Sequence, residues 1–478
     1  MQRTATPETA GQAPYRADFS FKNKLDSDSE TLKYCYQCGA CTSVCPISKC
    51  IGVYRPNQII QLAKLGIRDM PQSNASLFCC ACELCTKGCP QGVKIHEIMQ
   101  SLKNVQAEDP DILRSFGFDE TLETLAGSMP FPVAYGWISL RPTDENAFGA
   151  AVLKSFDRLL TRPLPEKVKL ADDAKKAAVI GSGPAGLTIA WALIQAGVGV
   201  TVYEALPEAG GMLRTGIPEY RLPKRILDGE IDRIKALGVE IKTGARVDQN
   251  LFDEIVKGTD YVFIATGAYA SRRLRIDGAD LPGVVAAIDL LQEYNLTGGA
   301  KVGKKVVVIG GGNVATDAAG AALRCGAEGV SLFCLEDRDG MPAHRWEIRE
   351  IEEDGVSVNP AWGPNAILGD GKVTDVEFMK CKSVFDADGR FAPVFDEKTT
   401  KTVEADTVIT AIGQAPDLGF LKGVETCRGT VVADPYTQRT NLSGLYAGGD
   451  AVLGTASLIE AILAGKAAAK NITQRMKG

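Results

Sequence analysis

Two cysteine motifs with the same internal spacing constrain this chain more than any other feature. Ten of its 14 cysteines lie between Cys35 and Cys89. The N-terminus is polar and lacks the apolar core of a secretory signal, so we expect a cytoplasmic protein with reduced thiols. A dense, regular set of reduced cysteines is more often a metal site than a disulfide framework. The motifs are Cys35-x2-Cys38-x2-Cys41-x3-Cys45-Pro46 and, 34 residues after Cys45, Cys79-x2-Cys82-x2-Cys85-x3-Cys89-Pro90.

This spacing is typical of proteins with two [4Fe–4S] clusters, in which three close cysteines bind one cluster and the fourth reaches the other. Zinc is the alternative, but its cysteines usually come in two close pairs without the x3-Cys-Pro end. Cys50 and Cys80 fall outside the pattern, and we interpret both as ordinary buried thiols. The predicted ligand sets are Cys35, Cys38 and Cys41 with Cys89, and Cys79, Cys82 and Cys85 with Cys45.

The segment between the motifs predicts helix rather than strand. Residues 54–66 carry apolar side chains at helical spacing and end in Gly66, unlike the strand-rich insert of a small ferredoxin. The cysteine-rich zone resembles the helical two-cluster domain of the heterodisulfide reductase C subunit, which implies a domain of residues 26–110. The resemblance rests on Cys38-Gly39, Cys41-Thr42, Leu65-Gly66 and the segment Cys89-Pro90-Gln91-Gly92-Val93.

A glycine-rich zone follows, and its first unit predicts a dinucleotide-binding fold. A buried-strand pattern at residues 177–180 runs into a glycine turn, residues 181–186, and then an Ala/Leu helix. Such a turn lets backbone amides and the positive end of a helix approach a pyrophosphate. Glu204 ends the next strand, where a carboxylate can accept hydrogen bonds from an adenosine ribose.

This zone resembles the small subunit of glutamate synthase and the flavin half of dihydropyrimidine dehydrogenase. The shared segments are residues 181–186, Glu204, residues 210–213, residues 216–223 and residues 448–450. The resemblance implies FAD in the first fold, with Asp450 near the ribityl chain and Arg221 and Leu213 around the cofactor. The expected FAD contacts are Gly181, Gly183, Pro184, Ala185, Gly186, Glu204, Gly211, Leu213, Arg221, Val247, Gly267, Gly449 and Asp450.

A second glycine turn, residues 310–315, follows another buried strand and opens another helix. The resemblance assigns this turn to NAD(P)H, in a domain of residues 303–404 inserted into an FAD domain of residues 174–302 and 405–478. Neither His96 nor His344 lies in an acid–base set, and hydride transfer needs alignment more than a proton-transfer side chain. The expected nicotinamide-dinucleotide contacts are Gly310, Gly312, Asn313, Val314, Ala315, Glu336, Arg338, Ala411, Ile412 and Gly413.

The strand after the second turn bears on cofactor preference. Relatives that use NADPH typically carry a basic pair there for the 2′-phosphate, whereas this chain has Leu335 and Glu336. A carboxylate repels a phosphate and can bond a 2′-hydroxyl, so we predict a preference for NADH over NADPH. Two alternatives remain: Arg338 could reach a phosphate, and Glu336 could be a solvated turn residue.

The fold class expected from these segments is α/β: a helical two-cluster ferredoxin-like domain followed by two Rossmann-type domains. Residues 1–25 are expected to be mobile. A connecting segment, residues 111–173, contains Phe131, Tyr135 and Trp137, and we expect it to wrap against the flavin domain. A net charge of −6 and a pI near 5.4 speak against a nucleic-acid partner, and no apolar run reaches the ~18–20 residues that span a bilayer.

These features predict an iron–sulfur flavoprotein that transfers electrons between a nicotinamide dinucleotide and a redox partner subunit, through FAD and two [4Fe–4S] clusters. One alternative is a glutamate synthase small subunit that delivers NADPH electrons to a large subunit, although its cysteine spacing is irregular. The other is a non-catalytic, cluster-bearing scaffold. The sequence leaves open the terminal substrate, the direction of electron flow and any bifurcation of electrons.

Overall fold

The computed structural model describes residues 27–67, 75–107 and 117–477, and it divides into two compact units between Arg162 and Pro163. The expected mobile segment, residues 1–25, lies outside the described residues. Among the described helices, none is both long and apolar enough to cross a membrane.

The first unit is built from helices, as the spacing of apolar residues predicts. Several of these helices are only four or five residues long, because the cysteine loops interrupt them. In chain order they are the 3-10 helix Ser27–Tyr34, then Ala40–Val44, Pro46–Cys50, Pro56–Leu65, the 3-10 helix Ala75–Phe78, Leu84–Lys87, Ile95–Ala107, Phe118–Ser128, Pro132–Leu140 and Ala147–Leu160.

Residues 117–162 of the expected connecting segment group with this first unit, and residues 163–173 group with the second. Phe118 stacks on Phe78, next to the second cysteine motif, with ring centroids 5.3 Å apart. Tyr135 donates a hydrogen bond from its hydroxyl to the Phe78 carbonyl at 2.5 Å. These rings extend the small core of the cysteine-rich zone. Residues 111–116, where we expected the first connecting helix to begin, lie outside the described residues.

The second unit contains two five-stranded parallel sheets, which confirms the expected pair of Rossmann-type folds. The first has strand order β17-β4-β1-β2-β3 and the second β6-β13-β7-β8-β9. The strands are β1 Lys176–Ile180, β2 Gly199–Tyr203, β3 Glu240–Lys242, β4 Tyr261–Ile264, β5 Ala270–Ser271, β6 Val284–Ala286, β7 Lys305–Ile309, β8 Gly329–Cys334, β9 Ser357–Pro360, β10 Trp362–Leu368, β11 Asp375–Phe385, β12 Phe391–Glu404, β13 Thr407–Thr410, β14 Gln414–Ala415, β15 Thr426–Cys427, β16 Thr430–Val431 and β17 Leu445–Ala447.

The second fold is inserted in the first, since β17 returns to the first sheet after the whole second sheet is complete. The second sheet includes β6 and β13, which lie outside the expected range of 303–404, and β13 fills the position between β6 and β7. An antiparallel sheet of β10, β11 and β12 adds to this fold and was not expected from the sequence.

Helices connect the strands and carry the glycine turns at their N-termini. Gly465 lets the C-terminal helix approach the first dinucleotide helix, because a Cβ there would lie 2.6 Å from the Ala185 carbonyl oxygen. The helices are Pro184–Gln195, Met212–Thr215, Lys224–Ala236, Gln249–Gly258, Ala287–Thr297, Asn313–Arg324, Arg345–Glu353, Asp450–Leu453 and Leu458–Lys477.

The stack of Phe118 on Phe78 gives a test of the first unit. Phe118 is 1% exposed, so we expect F118A to destabilise this unit by about 3–5 kcal/mol through lost burial and a cavity. F391A is the matched control, because Phe391 also meets a second aromatic ring but is 66% exposed. Thermal melting followed by circular dichroism would show a lower Tm for F118A alone. Equal melting of the two variants would contradict the assignment of the connecting helices to this unit.

Candidate functional site

The two cysteine loops repeat one backbone conformation. Two residues after the first cysteine of each motif, Gln37 and Ala81 have positive φ, and four residues after it, Gly39 and Glu83 do so. Three of these four are not glycine, and such residues cost free energy that the surrounding structure must offset. A short helix then carries the third cysteine of each motif. The repeated spacing in sequence therefore becomes a repeated loop in space.

Four thiols from both motifs line one cavity. Three belong to the second motif and the fourth, Cys45, to the first. Among the described side chains, no three His, Cys, Asp or Glu residues converge closely enough to hold a single metal ion. The cavity lining is Cys45, Ile47, Tyr54, Pro56, Cys79, Cys80, Cys82, Glu83, Cys85, His96 and Met99.

Burial controls the thiols at this cavity. The pKa of Cys45 is raised to about 11, chiefly by burial. Hydrogen bonds from Ser48 lower this pKa, and neighbouring Cys79 raises it. Burial also raises the pKa of Cys85, with added effects of Cys79 and Cys45. Thiols of this kind stay protonated near neutral pH until a metal replaces the proton. A cluster of thiolate-bound iron therefore fits this donor set.

The remaining cysteines of the motifs form a second group. The pKa of Cys41 is raised by burial first and then by Cys35 and Cys38, so these three side chains are neighbours. Tyr36 interacts with both Cys38 and Cys89, which brings the fourth cysteine of the other motif to the same place. Cys38 is exposed, whereas Cys41 is buried.

The two cysteines outside the pattern have different surroundings. Cys50 is buried, with its Sγ 3.9 Å from the Met129 Sδ, in keeping with an ordinary core thiol. Cys80 lines the cavity next to Cys79. The structure thus gives Cys80 a position at the site that the spacing of the motif did not indicate.

The first glycine turn lies at the carboxyl edge of the first sheet, where the parallel strands β1, β2, β4 and β17 all end. A Cβ on Gly181 would lie 2.3 Å from the Ala265 carbonyl oxygen, and a Cβ on Gly186 would lie 2.0 Å from the Gly181 carbonyl oxygen. Only glycine fits these approaches. Gly211 packs against Gly183 in the same way, with 2.7 Å between its hypothetical Cβ and the Gly183 Cα.

Glu204 is buried beside this turn. Its Oε2 accepts hydrogen bonds from the Ser182 amide at 2.9 Å and the Ser182 hydroxyl at 2.5 Å, and its Oε1 accepts one from the Leu206 amide at 2.8 Å. The carboxylate therefore fixes the turn.

One polar group near this edge lacks the partner that a bound molecule could supply. The Oγ1 of Thr266, which precedes Gly267 after β4, is buried and has no hydrogen-bond partner among the described residues. Asp450 follows Gly449, whose Cβ would lie 2.9 Å from the Ala185 Cβ at the start of the dinucleotide helix. Burial raises the pKa of Asp450 to about 6. Leu213 and Val247, two further residues expected to contact FAD, are buried, at 2% and 9% exposure. The glycine cradle and the orphan hydroxyl fit a dinucleotide cofactor.

Arg221 contacts the second fold. Its guanidinium forms ion pairs with Asp317, Glu347 and Glu350 of the second fold, and it lies over the Trp346 ring. Tyr220 extends this contact, because its ring lies 3.9 Å from the Arg324 guanidinium. Sequence reasoning missed these acidic partners, since nothing in their spacing shows that they are buried. Lys224 was also missed: its Nζ donates to the Ile217 carbonyl at 2.5 Å, and burial lowers its pKa to about 8.

The second glycine turn repeats the geometry of the first. A Cβ on Gly310 would lie 2.3 Å from the Ala411 carbonyl oxygen, so the loop of Ala411, Ile412 and Gly413 lies directly against the turn. Asn313 accepts a hydrogen bond from the His344 amide at 3.1 Å through its side-chain oxygen. Val314 and Ala315 continue into the helix. The structure therefore brings these sequence-predicted residues to one edge of the second sheet.

Glu336 and Arg338 have different surroundings. A Cβ on Gly311 would lie 3.0 Å from the Glu336 Oε2, which places this carboxylate at the turn. Arg338 instead forms two hydrogen bonds with the Glu352 carboxylate, at 2.6 and 2.5 Å. The side chain that could have met a phosphate is thus engaged by a carboxylate, although it is 47% exposed.

Two protein-family models match the chain. A model described as pyridine nucleotide-disulphide oxidoreductase matches residues 175–468, and a 4Fe-4S dicluster domain model matches residues 34–94. Together they confirm the predicted cofactor set of FAD, two [4Fe–4S] clusters and a nicotinamide dinucleotide. The dicluster match also decides against the zinc alternative.

Curated relatives confirm the resemblance to glutamate synthase small subunits. The NADP(+)-dependent formate dehydrogenase subunit beta of Moorella thermoacetica is 43% identical over 65% of this chain and 45% of its own length. The NADPH-Fe(3+) oxidoreductase subunit beta of Geobacter sulfurreducens is 32% identical over 79% of this chain and 61% of its own length. The glutamate synthase [NADPH] small chain of Escherichia coli is 31% identical over 69% of this chain and 76% of its own length. The chain thus spans only 45% and 61% of the first two of these relatives.

Solved structures agree in fold. FprA from Mycobacterium tuberculosis, in complex with NADPH, superposes with a TM-score of 0.55 over 64% of this chain and 86% of its own, at 21% identity. From the match over residues 175–468, the chain belongs to the pyridine nucleotide-disulphide oxidoreductase family, and it carries a 4Fe-4S dicluster domain in addition.

Proposed function

We propose that this chain transfers electrons between a nicotinamide dinucleotide and a partner subunit in the cytoplasm, as one component of a larger redox complex. The observation that carries the proposal is the combination, in one chain, of a four-thiol cavity with two glycine turns built for dinucleotides. When bound, FAD exchanges electron pairs with nicotinamide and single electrons with the clusters. The relatives named as beta subunits support a partner.

We assign the cofactors to the residues that the structure brings together. The cavity set of Cys45, Cys79, Cys82 and Cys85 would bind one cluster, and Cys35, Cys38, Cys41 and Cys89 the other. The first turn, with Glu204 and Asp450, would bind FAD, and the second turn, with Glu336, the nicotinamide dinucleotide. Arg221 would act between the two folds rather than on the flavin, because three carboxylates surround it.

NADH would be preferred over NADPH. Several relatives carry NADP(H) in their names, so the preference depends on residues particular to this chain. The Glu336 carboxylate lies against the second turn and would repel a 2′-phosphate, and Glu352 holds Arg338. A role as a glutamate synthase small subunit is the second candidate, because those relatives are covered over most of their length.

The pairing of Cys45 with the second motif can be tested by iron content. We expect C45S and C82S to lose the same cluster, so that each retains about four of about eight iron atoms and both give the same residual EPR spectrum. C41S should lose the other cluster and leave a different spectrum. C50S is the matched control and should keep all of the iron, since Cys50 contacts Met129. Matching spectra for C45S and C41S would refute the crosswise ligand sets.

Asp450 should show opposite effects on stability and on FAD binding. Its pKa in the folded protein, about 6, exceeds its ordinary value of 3.8. The stabilisation by its proton is therefore complete below about pH 4 and lost as the pH rises through 6. We expect D450N to stabilise the apoprotein at pH 7 by roughly 1–3 kcal/mol while weakening FAD binding.

The measurements for Asp450 are urea unfolding of the apoprotein from pH 4 to 8 and flavin fluorescence quenching. D434N is the control, because hydrogen bonds from Thr437 lower the pKa of Asp434 in an exposed turn. D434N should be no more stable than the wild type at pH 7 and should bind FAD normally. A D450N protein that loses stability at pH 7 would contradict the burial of this carboxylate.

An anaerobic titration tests the relay and the cofactor preference together. NADH should bleach the flavin and cluster absorbance at a concentration at least tenfold below that needed with NADPH, a ratio that corresponds to about 1.4 kcal/mol. E336R should reduce or reverse this ratio of the NADPH to the NADH concentration, whereas the control R338Q should leave it nearly unchanged. Equal bleaching by both dinucleotides would contradict the proposed preference for NADH. No response to either dinucleotide would favour the alternative of a non-catalytic scaffold.

A further inference from the structure

A buried lysine contacts the first cysteine of the second motif. Lys103, on the helix Ile95–Ala107, is 8% exposed. Its Nζ donates hydrogen bonds to the carbonyl oxygens of Cys79 at 2.6 Å and Ser139 at 3.0 Å. No part of the cluster motif itself predicts a cation at this position.

The first motif has an equivalent contact. Lys64, on the helix Pro56–Leu65, donates a hydrogen bond from Nζ to the carbonyl oxygen of Cys35 at 3.0 Å. Cys35 and Cys79 occupy the same position in the two motifs, so the repeat of the cysteine loops extends to a lysine beside each loop. Lys64 is only partly buried, whereas Lys103 is buried.

Neither lysine is paired with a carboxylate in the described part of the chain, where the ion pairs involve other lysines and arginines. A buried ammonium needs negative charge nearby, because its removal from water is costly. The negative charge available to Lys103 is therefore that of the cysteine ligands and of what they bind.

We propose that Lys103 and Lys64 raise the reduction potentials of the two clusters, and that Lys103 makes the cluster of Cys45, Cys79, Cys82 and Cys85 the one of higher potential. This inference rests on the proposed cluster ligands. Reduction adds one negative charge to a cluster, so a nearby positive charge stabilises the reduced form. The effect is larger for Lys103, because solvent screens a buried charge less than an exposed one. An electron that enters the relay would settle at this cluster.

The test is a potentiometric titration of the reconstituted full chain, followed by EPR. The EPR signal that C82S removes is assigned to the cluster of Cys45, Cys79, Cys82 and Cys85, which we call the second cluster. We expect K103Q to lower the ratio of reduced to oxidised second cluster at a fixed potential at least tenfold, which is about 59 mV for one electron. Glutamine keeps a hydrogen-bond donor and removes the charge, and K103R, which keeps the charge, should restore the wild-type ratio. K64Q should shift the other signal in the same direction by less.

An unchanged potential in K103Q, or an equal shift of both signals, would overturn the inference while leaving the proposed function intact. If the wild-type chain bound no iron, the proposed function itself would fail. If K103Q assembled no second cluster, the decision would rest on K64Q, whose signal must move to lower potential; no movement there would overturn the inference.

Discussion

One guanidinium facing three buried carboxylates joins the two nucleotide folds. Arg221 belongs to the loop before the helix Lys224–Ala236 of the first fold, whereas Asp317, Glu347 and Glu350 belong to helices of the second. Burial raises the pKa of Asp317. The Arg221 guanidinium opposes this shift, and the Glu347 and Glu350 carboxylates add to it. One guanidinium cannot neutralise three carboxylates, so this group of side chains favours a proton on one of the carboxylates as well. Loss of Arg221 would leave these carboxylates uncompensated, which would weaken the contact between the two folds.

The first unit depends on a different constraint. Its cysteine loops are flanked by helices of four or five residues, far below the ~12–15 residues at which an isolated helix becomes stable in water. Ligands that cross between the motifs would tie these short segments together, and metal binding would then contribute to folding. The aromatic residues of the connecting helices supply the apolar core that the loops lack, which explains why Phe118 and Tyr135 pack beside Phe78.

The sequence allowed prediction where a local pattern determines a local structure. The cysteine spacing indicated two clusters, and each glycine turn indicated a strand, a turn and a helix, because close backbone approach at Gly181 and Gly310 excludes other residues. Properties that depend on tertiary contacts could not be predicted in this way. The partners of Arg221, the position of Cys80 at the cavity and the packing of the connecting helices all depend on distant segments. The antiparallel sheet of β10 to β12 likewise gave no periodic signal strong enough to predict it.

Two acidic residues that follow the second strands of the folds, Glu204 and Glu336, lie beside the glycine turns and have different surroundings. The Glu204 carboxylate accepts two hydrogen bonds from Ser182 of the glycine turn and one from the Leu206 amide, so much of its capacity is already used. The Glu336 carboxylate also lies beside its glycine turn, but its side chain accepts no hydrogen bond from the described residues. A half-buried carboxylate with open acceptor sites gains from a donor such as a ribose hydroxyl, and it loses when a phosphate dianion takes that place. The open acceptor sites of Glu336 therefore support the proposed preference for NADH.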